Sequence, residues 1–201
     1  MHRMFDLLKF IGKLRQFTVT KLQSMEWHHS NSPTKNRKEK PNLNTRKLMA
    51  TVFWDRKGLI HVEFMPRGET INSEAYIETL HRLRRAIQNK RRGMLSSKVV
   101  LIHDNARPHC SARTKAELNS FKWQIFGHPP YSPDLAPSDY HLFPKLKVFL
   151  GGKNFLGDED LKEGVKTWLH SLAAEQYNVG IEKLVPRYNK CLDSSGDFVE
   201  K

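Results

Sequence analysis

The stretch KVVLIHD, residues 98–104, constrains this chain more than any other. Four consecutive aliphatic residues, Val99 to Ile102, run into His103 and Asp104. An apolar run without alternation predicts a strand covered on both faces, since a half-exposed strand would place polar residues at every second position. Such a strand calls for a sheet with helices on either side. Asp104 then falls at the carboxyl end of the strand, where open α/β sheets bind their ligands. A carboxylate there suits a hard divalent cation, which prefers oxygen donors. A turn or helix-capping aspartate would occupy the same position equally well.

The neighbouring segments supply the rest of such a sheet. LMATVFWD (48–55) and GLIHVEFMP (58–66) are rich in β-branched and aromatic residues, and the turn between them carries Asp, Arg, Lys and Gly. They predict a hairpin. Asn72 or Ser73 can cap a helix running to about Asn89, with Tyr76, Leu80, Leu83 and Ile87 forming one apolar stripe. A helix near Ala112–Ser120 and a short strand at Trp123–Phe126 follow. HPPYSPDLAPSD (128–139) holds four prolines and reads as an irregular loop. Two helices, roughly 158–172 and 174–191, close the chain. Pro186 interrupts the stripe of the second, where an interior proline typically costs ~3 kcal/mol.

Upstream of residue 47 the character changes. Residues 1–20 form a basic leader with helix-like apolar periodicity, and residues 21–46 are polar and rich in Asn, Ser, Pro and Lys, the composition of a flexible arm. The folded domain is expected over 47–201. Lys and Arg number 34 against 21 Asp and Glu, a net charge of +13, and an excess of that size points to a polyanionic partner such as nucleic acid. The two cysteines, Cys110 and Cys191, show no metal-site spacing. No apolar run approaches the ~20 residues a membrane span needs. Nothing resembles a serine or cysteine nucleophile site or a phosphate-cradling glycine loop, and no small-molecule substrate is expected.

HDNARPH (103–109), followed by HPPYSPDLAPSDYHLF (128–143), resembles the signature of mariner-type transposases. Their last two catalytic aspartates are separated by 34 residues, and 34 residues lie between Asp104 and Asp139. The resemblance extends through MATVFWD, PRGETINSEAY, LRRAIQ, GGKNF and the final IEKLV…YNKCLDSSGDFVEK, over roughly residues 20–201. It implies an α/β fold of the ribonuclease H-like (retroviral integrase-like) type, a mixed sheet flanked by helices. It also implies DNA as partner, a homodimer, nuclear localisation, and a two-ion Mg²⁺ or Mn²⁺ site for DNA strand cleavage and transfer. By motif, Asp104 and Asp139 are the second and third catalytic and metal-binding acids. Asp134 is expected to shape the loop by accepting backbone hydrogen bonds. Arg82, Arg85, Arg91, Arg92 and Arg107 are the candidate phosphate contacts. The 21–46 arm resembles the family's clamp between subunits, and His103 and His109 are expected to form hydrogen bonds.

The chain departs from the family where the first acid should be. The family's Gly-Asp-Glu-Thr-Trp-like stretch is absent, and its usual spacing lands near Lys9 and Phe10. Asp6, the only carboxylate before Glu26, lies three residues out of register. The expectation is therefore a catalytic domain whose first strand is lost or replaced, impaired in cleavage because one of three acids is missing. The alternative is a non-catalytic DNA-binding or protein-interaction remnant. The family's paired helix-turn-helix modules have no room in residues 1–46. Nor is there a SET-like segment of the kind fused to the family in one known arrangement, so methyltransferase activity is not expected.

Overall fold

The computed structural model describes residues 7–15, 47–96 and 99–199, with the backbone alone for 7–15 and 47. Five strands form one sheet: β1 (Leu7–Arg15), β2 (Lys47–Asp55), β3 (Gly58–Met65), β4 (Val100–Ile102) and β5 (Gln124–Phe126). Their order is β3-β2-β1-β4-β5. The first three are antiparallel neighbours, and β4 and β5 run parallel to β1. An antiparallel meander joined to parallel strands is the ribonuclease H-like arrangement that the resemblance implied.

Leu7–Arg15 is the finding the sequence reading did not anticipate. Expected as a helix-like leader outside the fold, it is the middle strand. Leu7, Leu8, Phe10, Ile11 and Leu14 satisfy a helical period, but Leu8, Phe10 and Leu14 also satisfy a period of two. The neighbours decide between these patterns. β2 and β4 each have an open edge of backbone donors and acceptors that must be paired when buried. β1 pairs with β2 from Leu8↔Trp54 to Arg15↔Lys47, and with β4 at Leu7↔Leu101 and Leu8↔Ile102. The first strand is thus replaced, not lost. The 21–46 arm lies outside the described residues.

The hairpin turn forms as expected. The Lys57 amide donates to Asp55 Oδ1 at 2.9 Å, and Gly58 takes a φ of +122° that a side chain would resist. Helix α1 (Ser73–Lys90) begins where Asn72 Oδ1 accepts from the Ala75 amide at 2.8 Å. Its stripe Tyr76, Leu80, Leu83 and Ile87 is fully buried against Phe53, Ile60, Leu101, Leu118 and Trp123. Two short helices, α2 (Arg107–Cys110) and α3 (Ala112–Ser120), lead to β5. The other face of the sheet, Leu48, Ala50, Val52 and Trp54, is covered by later helices: α4 (Phe143–Leu150), α5 (Asp158–Ser171), α6 (Ala174–Glu182) and α7 (Leu184–Asp193).

Two proline expectations are corrected. The loop 128–139 contains a short 3-10 turn at Pro133–Leu135, and it runs through a wide turn, Ser138–Leu142, straight into α4. Pro144 is tolerated because it stands near the start of α4. Pro186 likewise sits in the first turn of α7, because the chain breaks at Lys183 between α6 and α7. First-turn amides have no intrahelical acceptor to lose, so the cost of an interior proline does not arise.

Candidate catalytic site

Asp104 emerges two residues beyond the end of β4, as the run KVVLIHD predicts. Val99 and Leu101 are fully buried and His103 nearly so, whereas Asp104 is exposed. Its Oδ1 faces Nδ1 of His109 and also accepts from the Ala106 amide at 3.3 Å. His109 is itself buried, stacked on His103 with ring centroids 5.6 Å apart and tilted against Tyr76 at 4.3 Å. Tyr76 Oη meets His103 Nδ1 at 3.1 Å. Both histidines therefore hold hydrogen bonds, as expected from their motif. Asn105 ties this strand end to the proline-rich loop by donating to the His128 carbonyl at 2.6 Å.

Asp139 arrives from the other side, in the wide turn that precedes α4. The turn is anchored at three neighbouring residues. Trp54 Nε1 donates to Ser138 Oγ at 3.0 Å, Tyr140 Oη donates to the Gly180 carbonyl at 2.7 Å, and His141 Nε2 meets the Gln176 carbonyl at 2.6 Å. The Asp139 amide donates to the Ala136 carbonyl at 2.8 Å. Gly180 has no room for a side chain, since a Cβ there would stand 2.6 Å from His141 Cδ2.

Asp104 and Asp139 line one cavity of about 580 Å³, with His128, Ser132 and several prolines of the loop between them. Their proximity shows in their electrostatics. Burial first, and the charge of Asp104 second, raise the Asp139 carboxyl to about 6, and Lys147 only partly offsets them. Two carboxylates facing one cavity disfavour each other's ionised form and attract a cation.

The third position of a two-ion site falls on β1. Continuing the β1–β4 register by two residues sets Phe10 level with Asp104, next to Lys9, where the family's spacing pointed. The strand LLKFIGKLR contains no carboxylate. Among the described residues, no three His, Cys, Asp or Glu side chains are grouped to hold a metal ion. The donors present thus fall short of a two-ion centre, and Asp104 Oδ1 already accepts two hydrogen bonds.

The candidate phosphate contacts separate into two groups. Arg85, Arg92 and Arg107 are exposed. Arg91 is not a surface cation in waiting: its guanidinium grips the buried Asp55 through Nε at 2.7 Å and Nη2 at 2.9 Å. Arg82 is half-exposed but directed to Glu63 at 2.9 Å and Glu78 at 3.5 Å. Sequence reasoning missed both pairs because the acids lie 36 and 19 residues away, on β2 and β3. Asp134 accepts a backbone hydrogen bond as expected, but from the distant Val199 amide. Tyr76 and Asn105, which steady the Asp104 strand end, were also missed. The apolar stripe concealed the first.

A mixed sheet with two loop-borne carboxylates at the carboxyl ends of its parallel strands defines the class as a ribonuclease H-like nucleic-acid-processing domain. Residues 17–97 match the family described as Transposase (partial DDE domain). The chain is 38% identical over 163 residues to the Mariner Mos1 transposase of Drosophila mauritiana, covering 80% of this chain and 47% of that protein. It is 38% identical over 162 residues to the Histone-lysine N-methyltransferase SETMAR of Homo sapiens, covering 80% of this chain and 24% of that one. The chain therefore spans less than half the length of these curated relatives. It superposes on the Mos1 transposase catalytic domain solved with Raltegravir and Mg with a TM-score of 0.79 at 32% identity, covering 96% of this chain and 85% of that one. The Mos1 mariner paired end complex with Mn gives a TM-score of 0.86 at 32% identity, covering 96% and 56%. The chain belongs to the mariner transposase family and corresponds to its catalytic domain.

Proposed function

We propose that this chain is a DNA-binding mariner catalytic domain that does not cut DNA. The observation that carries the proposal is the composition of β1. The middle strand is in place, yet it brings no carboxylate to the level of Asp104. In-line attack on a phosphodiester by two ions requires both to be fixed, and Asp104 with Asp139 would hold one divalent ion loosely. Mos1 has been solved with Mg and with Mn, and either is the ion expected here.

DNA binding rests on the net charge of +13 and on the exposed Arg85, Arg92 and Arg107. Nuclear residence and pairing with a second subunit belong to the same reading, since the related Mos1 chains were solved as paired end and strand transfer complexes. Binding to a duplex without a particular sequence, followed by fluorescence anisotropy against salt, tests it. Affinity should fall steeply as salt rises. Replacing Arg85, Arg92 and Arg107 by Ala should flatten the log–log slope by ~3, about 0.9 per phosphate released. Salt-insensitive or absent binding would favour a protein-interaction role instead.

A further inference from the structure

We infer that the segment following α7 is a strap that holds the Asp139-bearing loop in place, with Asp134 as its anchor. After α7 the chain reverses through Ser195 and Gly196, at φ +56° and +90°, with the Gly196 amide bonded to the Cys191 carbonyl at 2.8 Å. The reversal returns Val199 to the protein, where it is 8% exposed. Its amide donates to Asp134 Oδ2 at 2.8 Å, across 65 residues of sequence. Its carbonyl accepts from Lys190 Nζ at 2.8 Å, so α7 holds the strap from the other side. Arg187, also on α7, donates to the Asp134 carbonyl at 3.0 Å and lies 4.0 Å over the ring of Tyr140.

These contacts bracket the acid. Asp134 stands five residues before Asp139 and Tyr140 one residue after it. Between them, Leu135 is buried and the Ala136 carbonyl accepts the amides of both Asp139 and Tyr140. Asp134 is 7% exposed, and its Oδ1 has no hydrogen-bond partner among the described residues. A buried carboxylate is costly unless hydrogen-bonded. The Val199 amide is therefore the donor that keeps Asp134, and through it the loop, at its place. Asp134 and Val199 are positioning residues; neither lines the cavity.

Hydrogen–deuterium exchange of the DNA-free chain tests this independently of whether it binds or cuts DNA. Val199→Pro removes the donated N–H. Exchange over residues 132–141 should accelerate by about ten- to a hundredfold, as loss of a hydrogen bond to a buried charged acceptor implies, while α1 and the β2–β3 hairpin keep their protection. Lys190→Met should give a smaller increase in the same segment. Asp134→Asn, whose side-chain carbonyl can accept the same N–H, should keep the protection that Asp134→Ala loses. Unchanged exchange over 132–141 in Val199→Pro, acceleration spread evenly over the chain in both Val199→Pro and Lys190→Met, or identical behaviour of Asp134→Asn and Asp134→Ala would overturn the proposal.

Discussion

Replacing Asp139 by Asn should stabilise the protein, and the gain should depend on pH in one direction. Burial and the neighbouring Asp104 raise the Asp139 carboxyl to about 6, against roughly 4 in an unfolded chain. The folded state therefore holds this proton more tightly than the unfolded state does. Below about pH 4 both states are protonated and the site costs nothing. As pH rises through about 6, the folded protein must ionise a half-buried carboxyl beside another charge, and stability falls until the proton is lost. A rise from about 4 to about 6 corresponds to at most ~3 kcal/mol, and solvent reaching the half-buried group reduces that to about 1–2 kcal/mol. Urea denaturation of wild type and Asp139→Asn at pH 4, 6 and 8 reads this out. The variant should match wild type at pH 4 and exceed it by about 1–2 kcal/mol at pH 8. Adding Asp104→Asn should shrink the gain, because the second cause of the raised proton affinity is gone. A difference between wild type and variant that stays constant from pH 4 to 8 would refute the electrostatic account of the cavity.

Arg91→Ala should cost about 3–5 kcal/mol in thermal or urea unfolding, because it leaves Asp55 buried and uncompensated, whereas Arg85→Ala should change stability by less than ~0.5 kcal/mol. Gly180→Ala should destabilise by about 1–3 kcal/mol through overpacking against His141 and Trp54, and it should loosen the turn carrying Asp139. Faster local exchange at Ser138–Leu142 would register that loosening. An unperturbed Gly180→Ala protein would show that the close packing there is adjustable.

Much of this architecture was legible in the residues. The run Val99–Ile102 announced a strand buried on both faces, and the stripe Tyr76, Leu80, Leu83 and Ile87 announced α1, because both periods arise from burial that the folded protein then realises. The meeting of Asp104 with Asp139 was legible by a different route, through the resemblance of HDNARPH and PPYSPDLAPSD, since no local pattern brings a strand end and a loop 34 residues later to one cavity. Leu7–Arg15 was misread because its apolar residues satisfy both periods, and pairing with β2 and β4 makes the choice. Pro144 and Pro186 suggested breaks, but each lies near a helix start, and no composition reveals where within a helix a proline falls. The Arg91–Asp55 and Val199–Asp134 contacts join residues 36 and 65 positions apart. Such pairs become visible only when the sheet and helices have fixed which surfaces face each other.

The central claim is that this chain has the scaffold of a mariner catalytic domain and two of its three acids. Nicking of supercoiled plasmid by the purified chain in Mg²⁺ or Mn²⁺, with Asp104→Asn alongside, tests it most directly. Plasmid that stays supercoiled at the same level in both proteins, while both still bind it, is the result predicted. Metal-dependent nicking by the wild-type chain that Asp104→Asn abolishes would contradict the account, and would mean that a carboxylate from elsewhere completes the site.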